Sequence, residues 1–591
     1  MTKDDRWQRV ALRLVAAITL LALSTWMFDR WSLDVELFSR TFSYGFFAQA
    51  ILTTLLLAAL LVVTNRLLVS FVISMALMGT VYVINVLKIR YLASPLGLSD
   101  YYVLKSLRGD SLGLYLDYIN GKAVIVVLLA LLLTLGLLWR KDQPVFQGRM
   151  PQRLLALVAV VATGYVVLAG QAGQRIYSAD RLGIAPYSSF LSQFHGGLLS
   201  NFVYARRELV MALDEPIDDG AVKKLRVQMQ GVDRAAMALP HADRPDVVVI
   251  QSESFFNPDI IEQVGDTRAM LPNLHRAMEE GASGSMAVPT FGGGTLRTEF
   301  EVLTGIPLAA YPRLQFPYLQ ISRSSIPGMA HAFADAGYQV VAVHGNSGDF
   351  WNRRNAFRSL GFGRFVTAKD FDKAAHRDGW FLSDKSMTDE VMKVLATDDA
   401  PKFVFAISIE AHGPFLKSPV NHESLRDRLP VPDGFSKNAR EEYSRYAYHI
   451  ADADQELGRL WDYLKQRGRP FVLVFYGDHL PGFEYVYQGA TFHNGQDPDK
   501  QRVPWIAVGT DVPRVQRSIY SWMLPHEVLS LAGIHSPAYL SLAAAVGSQV
   551  IDDKAPNTLV DNDMLDGLYS AARMDLNGQF DVPDEVAGHA L

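Results

Sequence analysis

A threonine behind three glycines is the first place in this chain where chemistry could occur. In Pro289-Thr290-Phe291-Gly292-Gly293-Gly294-Thr295-Leu296-Arg297-Thr298-Glu299-Phe300, the glycines permit positive φ and a close approach of backbone to a ligand. The residues after them read as a helix beginning at Thr295. A helix N-terminus carries unpaired N–H groups and a partial positive charge, so a phosphate fits there and a threonine alkoxide is stabilised beside it. Taken alone, the same stretch also suits a glycine loop with Thr295 as an ordinary N-cap. Four other polar clusters decide between the two: Ser252-Glu253-Ser254, His344-Gly345-Asn346, Glu410-Ala411-His412 and Gly477-Asp478-His479.

Each cluster directly follows a short apolar run, respectively Val247–Ile250, Val340–Val343, Phe403–Ile407 and Phe471–Phe475. Such continuous runs, rich in β-branched or aromatic residues, suit central parallel strands buried on both faces. Helical patterns lie between them, for example Met329 to Ala336, Ser383 to Leu395 and Asn438 to Gln466. The alternation predicts one α/β sandwich that binds ligands beyond the carboxyl ends of its strands. All four clusters would then line one edge of the sheet. Glu253, Asp478 and His479, with the Thr295 hydroxyl, make a mixed oxygen and nitrogen set for a divalent cation such as Mn²⁺, Zn²⁺ or Mg²⁺.

The arrangement Ser-Glu-Ser-Phe at 252–255, Gly-Thr-x-x-Thr-Glu-Phe at 294–300, Phe-Trp-Asn-Arg at 350–353 and Tyr-Gly-Asp-His at 476–479 resembles the lipoteichoic acid synthase and phosphoglycerol transferase family. That family is a branch of the alkaline phosphatase and sulfatase superfamily, and its members carry five membrane helices before an extracytoplasmic catalytic domain. The resemblance implies Thr295 as nucleophile and Glu253, Thr295, Asp478 and His479 as ligands of one metal ion, typically Mn²⁺. It also implies that His344, Trp351, Arg353 and His412 hold a glycerophosphate head group. Where the family often has an acidic residue two after the histidine matched by His344, this chain has Asn346, a substitution at the head-group or acceptor side of the site. The chemistry agrees with these roles. Arg353 can grip phosphate bidentately, as lysine could not, and His412 can protonate a departing diacylglycerol oxygen and later deprotonate an acceptor hydroxyl.

The implied activity is transfer of glycerophosphate from a phosphatidylglycerol-like lipid to a glycan or polymer hydroxyl through a phosphothreonine. Its competitors are a phosphoethanolamine transferase, a sulfatase or phosphodiesterase-type hydrolase of the same superfamily, and a membrane-bound scaffold with a relict catalytic fold. A formylglycine sulfatase needs a cysteine or serine where this chain offers Thr295, and there is no cysteine at all. No ligand or nucleophile is missing, as a relict would allow.

The remaining sequence must position this chemistry. Apolar spans run from Val10 to Phe28, Gly45 to Thr64, Leu67 to Val86, Ala123 to Leu138 and Leu154 to Gly170, each near the ~20 residues that cross hydrocarbon. No small-residue cleavage site follows the first, so it reads as a retained helix. An N-terminus inside places Lys3, Arg6, Arg9, Arg66, Arg140, Lys141, Arg149 and Arg153 on the cytoplasmic side, and five crossings deliver the rest of the chain outside. Arg30, Arg40, Lys88, Arg90, Lys105 and Arg108 oppose that pattern, and Tyr101 to Leu107 suits an interfacial segment. The organisation expected is thus a transmembrane domain over 1–171, an amphipathic connector over 172–243, a catalytic domain over 244–550 and a C-terminal tail over 551–591. The connector's apolar face, with Phe190, Leu191, Phe194, Leu198, Leu199 and Phe202, is expected to rest on the bilayer or the enzyme body. The expected setting is a bacterial inner membrane with a periplasmic enzyme. The formal net charge of -5 and the lack of a basic block argue against nucleic acid as a partner. Glu299 and Glu301 are expected to satisfy the Thr295 helix dipole or to pair with Arg297.

Overall fold

The computed structural model describes residues 3–33, 43–92, 95–97, 100, 121–146, 150–184, 189–211, 213–229, 244–321, 323–348, 350–416, 419–420, 429, 431–551 and 562–580. The expected interfacial segment Tyr101–Leu107, and Arg40, Lys105, Arg108 and Arg149, lie outside the described residues. The chain divides into two compact units, Met1–Val210 and Met211–Leu591.

In the first unit, four helical stretches among the described residues are long and apolar enough to cross a membrane: Gln8–Ser32, Tyr44–Thr64, Leu67–Arg90 and Met150–Leu168. The remaining expected span, Ala123 to Leu138, falls in a further apolar helix, Gly121–Lys141. Two loops expected on one side of the bilayer are physically joined. Asn65 exchanges hydrogen bonds with Phe146 (Nδ2 to O 2.9 Å, N to Oδ1 2.7 Å), and Asp142 Oδ2 accepts from the N–H of Leu68 at 2.7 Å, at the start of the third helix. Arg153 donates to the carbonyls of Val62 and Val63.

The connector does not behave as one segment. Its helices Ser189–Gly196 and Leu198–Met211 begin in the first unit, and they bury the polar Ser192, Gln193 and Ser200 together with Leu198 of the expected apolar stripe. Asp29 supplies the reason. Its carboxylate accepts from Gln49 Nε2, Gln193 Nε2 and the Leu198 N–H, capping the second of these helices from another chain segment. Phe190 stays exposed. Asp219–Gln228, by contrast, belongs to the second unit and packs on Asn562–Leu576.

That last helix corrects the expected tail. Leu565, Leu568, Ala571, Ala572 and Leu576 are buried in the main core, so the segment closes the domain instead of trailing from it.

The second unit is built on an eight-stranded mixed sheet. Its strands are β1 (Asp246–Ser252), β2 (Ala282–Ala287), β3 (Gln339–His344), β4 (Arg364–Thr367), β7 (Lys402–Ile407), β8 (Phe471–Gly477), β9 (Val503–Gly509) and β10 (Ile519–Tyr520). A separate hairpin pairs β5 (Arg377–Asp378) with β6 (Phe381–Leu382). The sheet order is β10-β2-β9-β8-β1-β7-β3-β4. The four strands expected from apolar runs are its parallel centre, β8-β1-β7-β3, and β1, β7 and β8 are buried at every position. Neighbouring strands lie ~4.8 Å apart, so the four polar ends share an edge of roughly 15 Å.

Candidate active site

Each polar cluster leaves its strand at that edge, and local backbone geometry aims the side chains. After β1, Ser254 takes a left-handed conformation (φ 54°), uncommon for a residue with a side chain, and turns the chain so that Glu253 faces the neighbouring strand end. After β8, Gly477 is packed so closely that a Cβ there would lie 1.8 Å from the Phe255 carbonyl. That approach ties the two ends together. Asp478 Oδ1 accepts from the N–H of Ser254 at 2.7 Å, and the Asp478 N–H donates to the Ser252 carbonyl at 3.2 Å. Gly294, with φ 83°, delivers the chain into the helix Thr295–Thr304.

Four predicted ligands meet here. The Thr295 hydroxyl donates to Glu253 Oε2 at 3.0 Å. His479 Nε2 lies 3.7 Å from Glu253 Oε1 and 3.3 Å from Asp478 Oδ2. One ligand atom from each of Glu253, Asp478 and His479 falls within 4.8 Å of the others, and all three residues are buried. His479 Nδ1 is committed to the Leu480 carbonyl at 2.9 Å, which leaves Nε2 with its lone pair turned inward. Asp478 Oδ2 and His479 Nε2 are buried without a hydrogen-bond partner. Two orphaned acceptors facing each other are costly unless a cation completes them, so the residues fit a divalent metal. Burial pushes the Asp478 carboxyl up to about 7, with His479 opposing and Glu253 adding to the rise.

The expected head-group residues form a second cluster. His344 ends β3, and its Nδ1 lies 3.0 Å from the Ile407 carbonyl, so Nε2 receives Arg353 Nη1 at 3.3 Å. Burial, helped by the Arg353 charge, lowers the His344 pKa to about 3, which keeps the ring neutral and able to accept. Arg353 is also held by Glu299, at 3.1 and 2.9 Å from Nε and Nη2 to Oε2. Glu299 therefore pairs with Arg353, a partner that neither expected role, the helix dipole or Arg297, had named. Arg297 instead donates to the backbone carbonyls of Pro289, Leu314 and Gln315, and Glu301 accepts from the Leu308 N–H and the Ser521 hydroxyl. Trp351 adopts a left-handed conformation (φ 57°) and stacks on Phe316, centroids 5.3 Å apart. Asn346 spends its side-chain oxygen on the Ser347 N–H at 2.7 Å.

His412 is half-buried, with Nδ1 2.7 Å from the Gly413 carbonyl and its ring 5.3 Å from that of Phe381. The contact to the carbonyl assigns the proton to Nδ1 and leaves Nε2 as the exchangeable nitrogen. Sequence reasoning named Glu410 only as part of a strand end. It is buried two residues before His412, accepting from the Asp384 N–H at 2.8 Å and lying 2.9 Å from His449 Nδ1. His493 is exposed, and its backbone N–H donates to the Ile260 carbonyl at 3.1 Å.

The sulfatase family model matches residues 245–534, which contain every one of these side chains. This stretch is a sulfatase-family domain. Among curated relatives, the chain is 33% identical over 255 residues to a putative cyclic β-1,2-glucan modification protein of Rhizobium meliloti, covering 43% of this chain and 38% of that one. It is 25% identical over 251 residues to a lipoteichoic acid synthase of Staphylococcus saprophyticus, covering 40% of this chain and 36% of that one. The chain thus spans well under half the length of these relatives. Among solved structures it superposes on the Streptococcus pyogenes phosphoglycerol transferase GacH, in complex with sn-glycerol-1-phosphate, with TM-score 0.51 and 20% identity. That match covers 62% of this chain and 95% of the other, and it shows a shared fold.

Proposed function

We propose that the chain is a metal-dependent phosphoglycerol transferase, anchored in a bacterial inner membrane with its sulfatase-family domain outside. In this reading it moves glycerophosphate from a phosphatidylglycerol-like lipid to a hydroxyl of a glycan or polymer. The observation that carries the reading is the Thr295 hydroxyl, 3.0 Å from Glu253, beside two buried and unpartnered ligand atoms on Asp478 and His479. A nucleophilic hydroxyl within a cation site, at a helix N-terminus, suits attack on a phosphodiester. Relatives named for lipoteichoic acid synthesis and glucan modification support a glycan or polymer as the acceptor class.

Glu253, Thr295, Asp478 and His479 would hold one divalent ion, Mn²⁺ in our reading. Such an ion lowers the pKa of a coordinated hydroxyl and offsets phosphoryl charge. The protein's own residues do the rest. Gly294 and the first N–H groups of the Thr295 helix give the phosphate oxygens a positive end to face. Thr295 Oγ1 attacks phosphorus as its proton passes to Glu253 Oε2, the oxygen it already donates to. The bond from phosphorus to the diacylglycerol oxygen breaks, and that oxygen takes a proton from His412. An acceptor hydroxyl then loses its proton to His412 and attacks the same phosphorus, and as the phosphothreonine bond breaks Thr295 Oγ1 takes its proton back from Glu253. Arg353 and His344 supply the donors and the neutral ring beside the head group.

The test is intact mass of the protein after incubation with head-group-labelled phosphatidylglycerol and Mn²⁺. A gain of one phosphoglycerol, absent in Thr295→Ala, is the expected result. A gain only with phosphatidylethanolamine would move the assignment to phosphoethanolamine transfer, and label released as free glycerol phosphate despite added glycan would make the protein a hydrolase.

A further inference from the structure

The β5–β6 hairpin has no role in the chemistry above, yet it stands against it. Its tip is Gly379 (φ 59°) and Trp380, and the next residue, Phe381, packs its ring on His412. Trp380 is 38% exposed, and no other Trp, Tyr or Phe among the described residues of this unit is exposed to that degree. The indole is thus a solvent-facing aromatic surface one residue from the ring that touches His412.

The hairpin is also stiff. Asp378 is buried and accepts from the Tyr448 hydroxyl. The carbonyl of His376, just before β5, accepts from the Ser383 N–H, Ser383 Oγ and Ser386 Oγ at 3.0, 3.1 and 2.8 Å. The arm of His412 is anchored alongside, because Glu410 bonds His449, the residue after Tyr448 on the helix Lys437–Gln466. Hairpin and His412 loop therefore hang from one turn of one helix, and the separation between Trp380 and His412 is fixed by buried bonds.

At its base, His376 lines an open groove of about 550 Å³. Asp372, Lys385, Asp389, Glu390 and Lys393 contribute its polar lining, and Lys385 pairs with Asp389 as Lys393 does with Glu390, each within 2.8 Å. Acids and amines nearly cancel, so the groove carries little net field, and Ala374, Ala375, Met392 and Ala396 add apolar surface between the paired charges.

We propose that Trp380 is a stacking platform for the acceptor: a pyranose ring of a neutral glycan lies on the indole and brings a hydroxyl to His412, while further sugar units follow the groove. This rests on the transfer reading above and names the acceptor side of the same site. A flat apolar face next to polar, charge-balanced groups matches a sugar, whose ring presents C–H groups on one face and hydroxyls at its rim. A bilayer is the other surface an exposed tryptophan can enter, but insertion uses a cluster of apolar side chains, and Trp380 is flanked by Arg377, Asp378 and His376.

The experiment uses the full chain in detergent, with Thr295→Ala to prevent turnover, titrated calorimetrically with neutral β-linked glucose oligosaccharides. Trp380→Ala and Trp380→Thr are expected to weaken oligosaccharide binding at least tenfold, while Trp380→Tyr stays within about threefold of the parent. In the active protein, the same truncations raise the acceptor KM by a similar factor with kcat within about threefold. Oligosaccharide affinity that is absent in the parent, or indifferent to both truncations, overturns the proposal. So does a result in which the truncations instead abolish binding to phosphatidylglycerol vesicles. If Thr295 never gains phosphoglycerol while oligosaccharide affinity still depends on Trp380, the transfer reading falls and the platform stands.

Discussion

Glu299 lies one helical turn beyond Thr295 and grips the guanidinium of Arg353 through three contacts of 2.9 to 3.2 Å, with both side chains almost wholly buried. Residues four apart on a helix share a face, separated by a rise of ~6 Å. The same helix face thus presents the nucleophile and orients the arginine expected to meet the head group. Glu299→Ala should leave a buried, unpaired guanidinium and cost about 3–5 kcal/mol, while Glu299→Gln retains one acceptor and costs less. Thermal melts of the two variants against wild type check the order, and equal melting temperatures would refute it.

Divalent metal should stabilise the protein through the two orphaned atoms. A ligand that binds only the folded state at a hundred times its Kd adds about 2.7 kcal/mol. Adding MnCl₂ to chelator-treated wild type should therefore raise the melting temperature, and the rise should vanish in His479→Ala and in Glu253→Ala/Asp478→Ala. A metal-dependent rise that survives in these variants would place the ion elsewhere.

The centre of the sheet was readable because each buried strand is a continuous apolar run and each functional cluster follows at once. Val472 to Phe475 and then Asp478 is such a case: burial on both faces removes alternation, and polarity can return only where the strand ends. The sheet's other half carried no such mark. β2 reads Ala-Ser-Gly-Ser-Met-Ala and becomes a strand only because β9 and β10 pair with it. The Glu299–Arg353 pair joins residues far apart in sequence, and nothing near either one selects the other over Arg297. The buried polar face at Gln193 was invisible because its partner, Asp29, lies in an apolar helix where a carboxylate reads as an interruption. The closing helix differs, since Leu565, Leu568, Ala572 and Leu576 recur at helical spacing. That stripe was present and was outweighed by the acidic and small residues around it.

Stability should depend on pH through Glu301, two residues beyond Glu299 and fully enclosed. Burial raises its carboxyl from the ordinary 4.5 to about 7, against the Ser521 and Leu308 hydrogen bonds. The folded state therefore keeps this proton to higher pH than the unfolded chain does. Its stabilising contribution is complete below about 4.5 and is lost as pH rises through about 7. Glu301→Gln can still accept from Leu308 and can donate to Ser521, with no charge to bury. The melting temperature of Glu301→Gln relative to wild type should climb between pH 5 and pH 8, and a difference that stays flat would show that the carboxyl titrates normally.

Gly477 offers a test of geometry without removing any ligand. A Cβ there would sit 1.8 Å from the Phe255 carbonyl and 3.3 Å from Val503 Cβ, so Gly477→Ala must push β8 away from the turn after β1. Overpacking of this kind costs about 1–3 kcal/mol or more. The larger effect should fall on function, because the displaced segment carries Asp478 and His479, and the bond from the Ser254 N–H to Asp478 Oδ1 spans the gap that must open. Shifting two of four ligands by even half an ångström leaves them unable to share an ion with Glu253 and Thr295. Gly363→Ala serves as control, since its added carbon meets only the Val340 carbonyl at an ordinary 3.7 Å. The expected outcome is a folded Gly477→Ala protein, with a lowered melting temperature, in which MnCl₂ no longer produces the stabilisation seen in wild type and in Gly363→Ala. Normal manganese stabilisation in Gly477→Ala would mean that the two strand ends tolerate separation, and that their close contact does not set the spacing of the metal ligands.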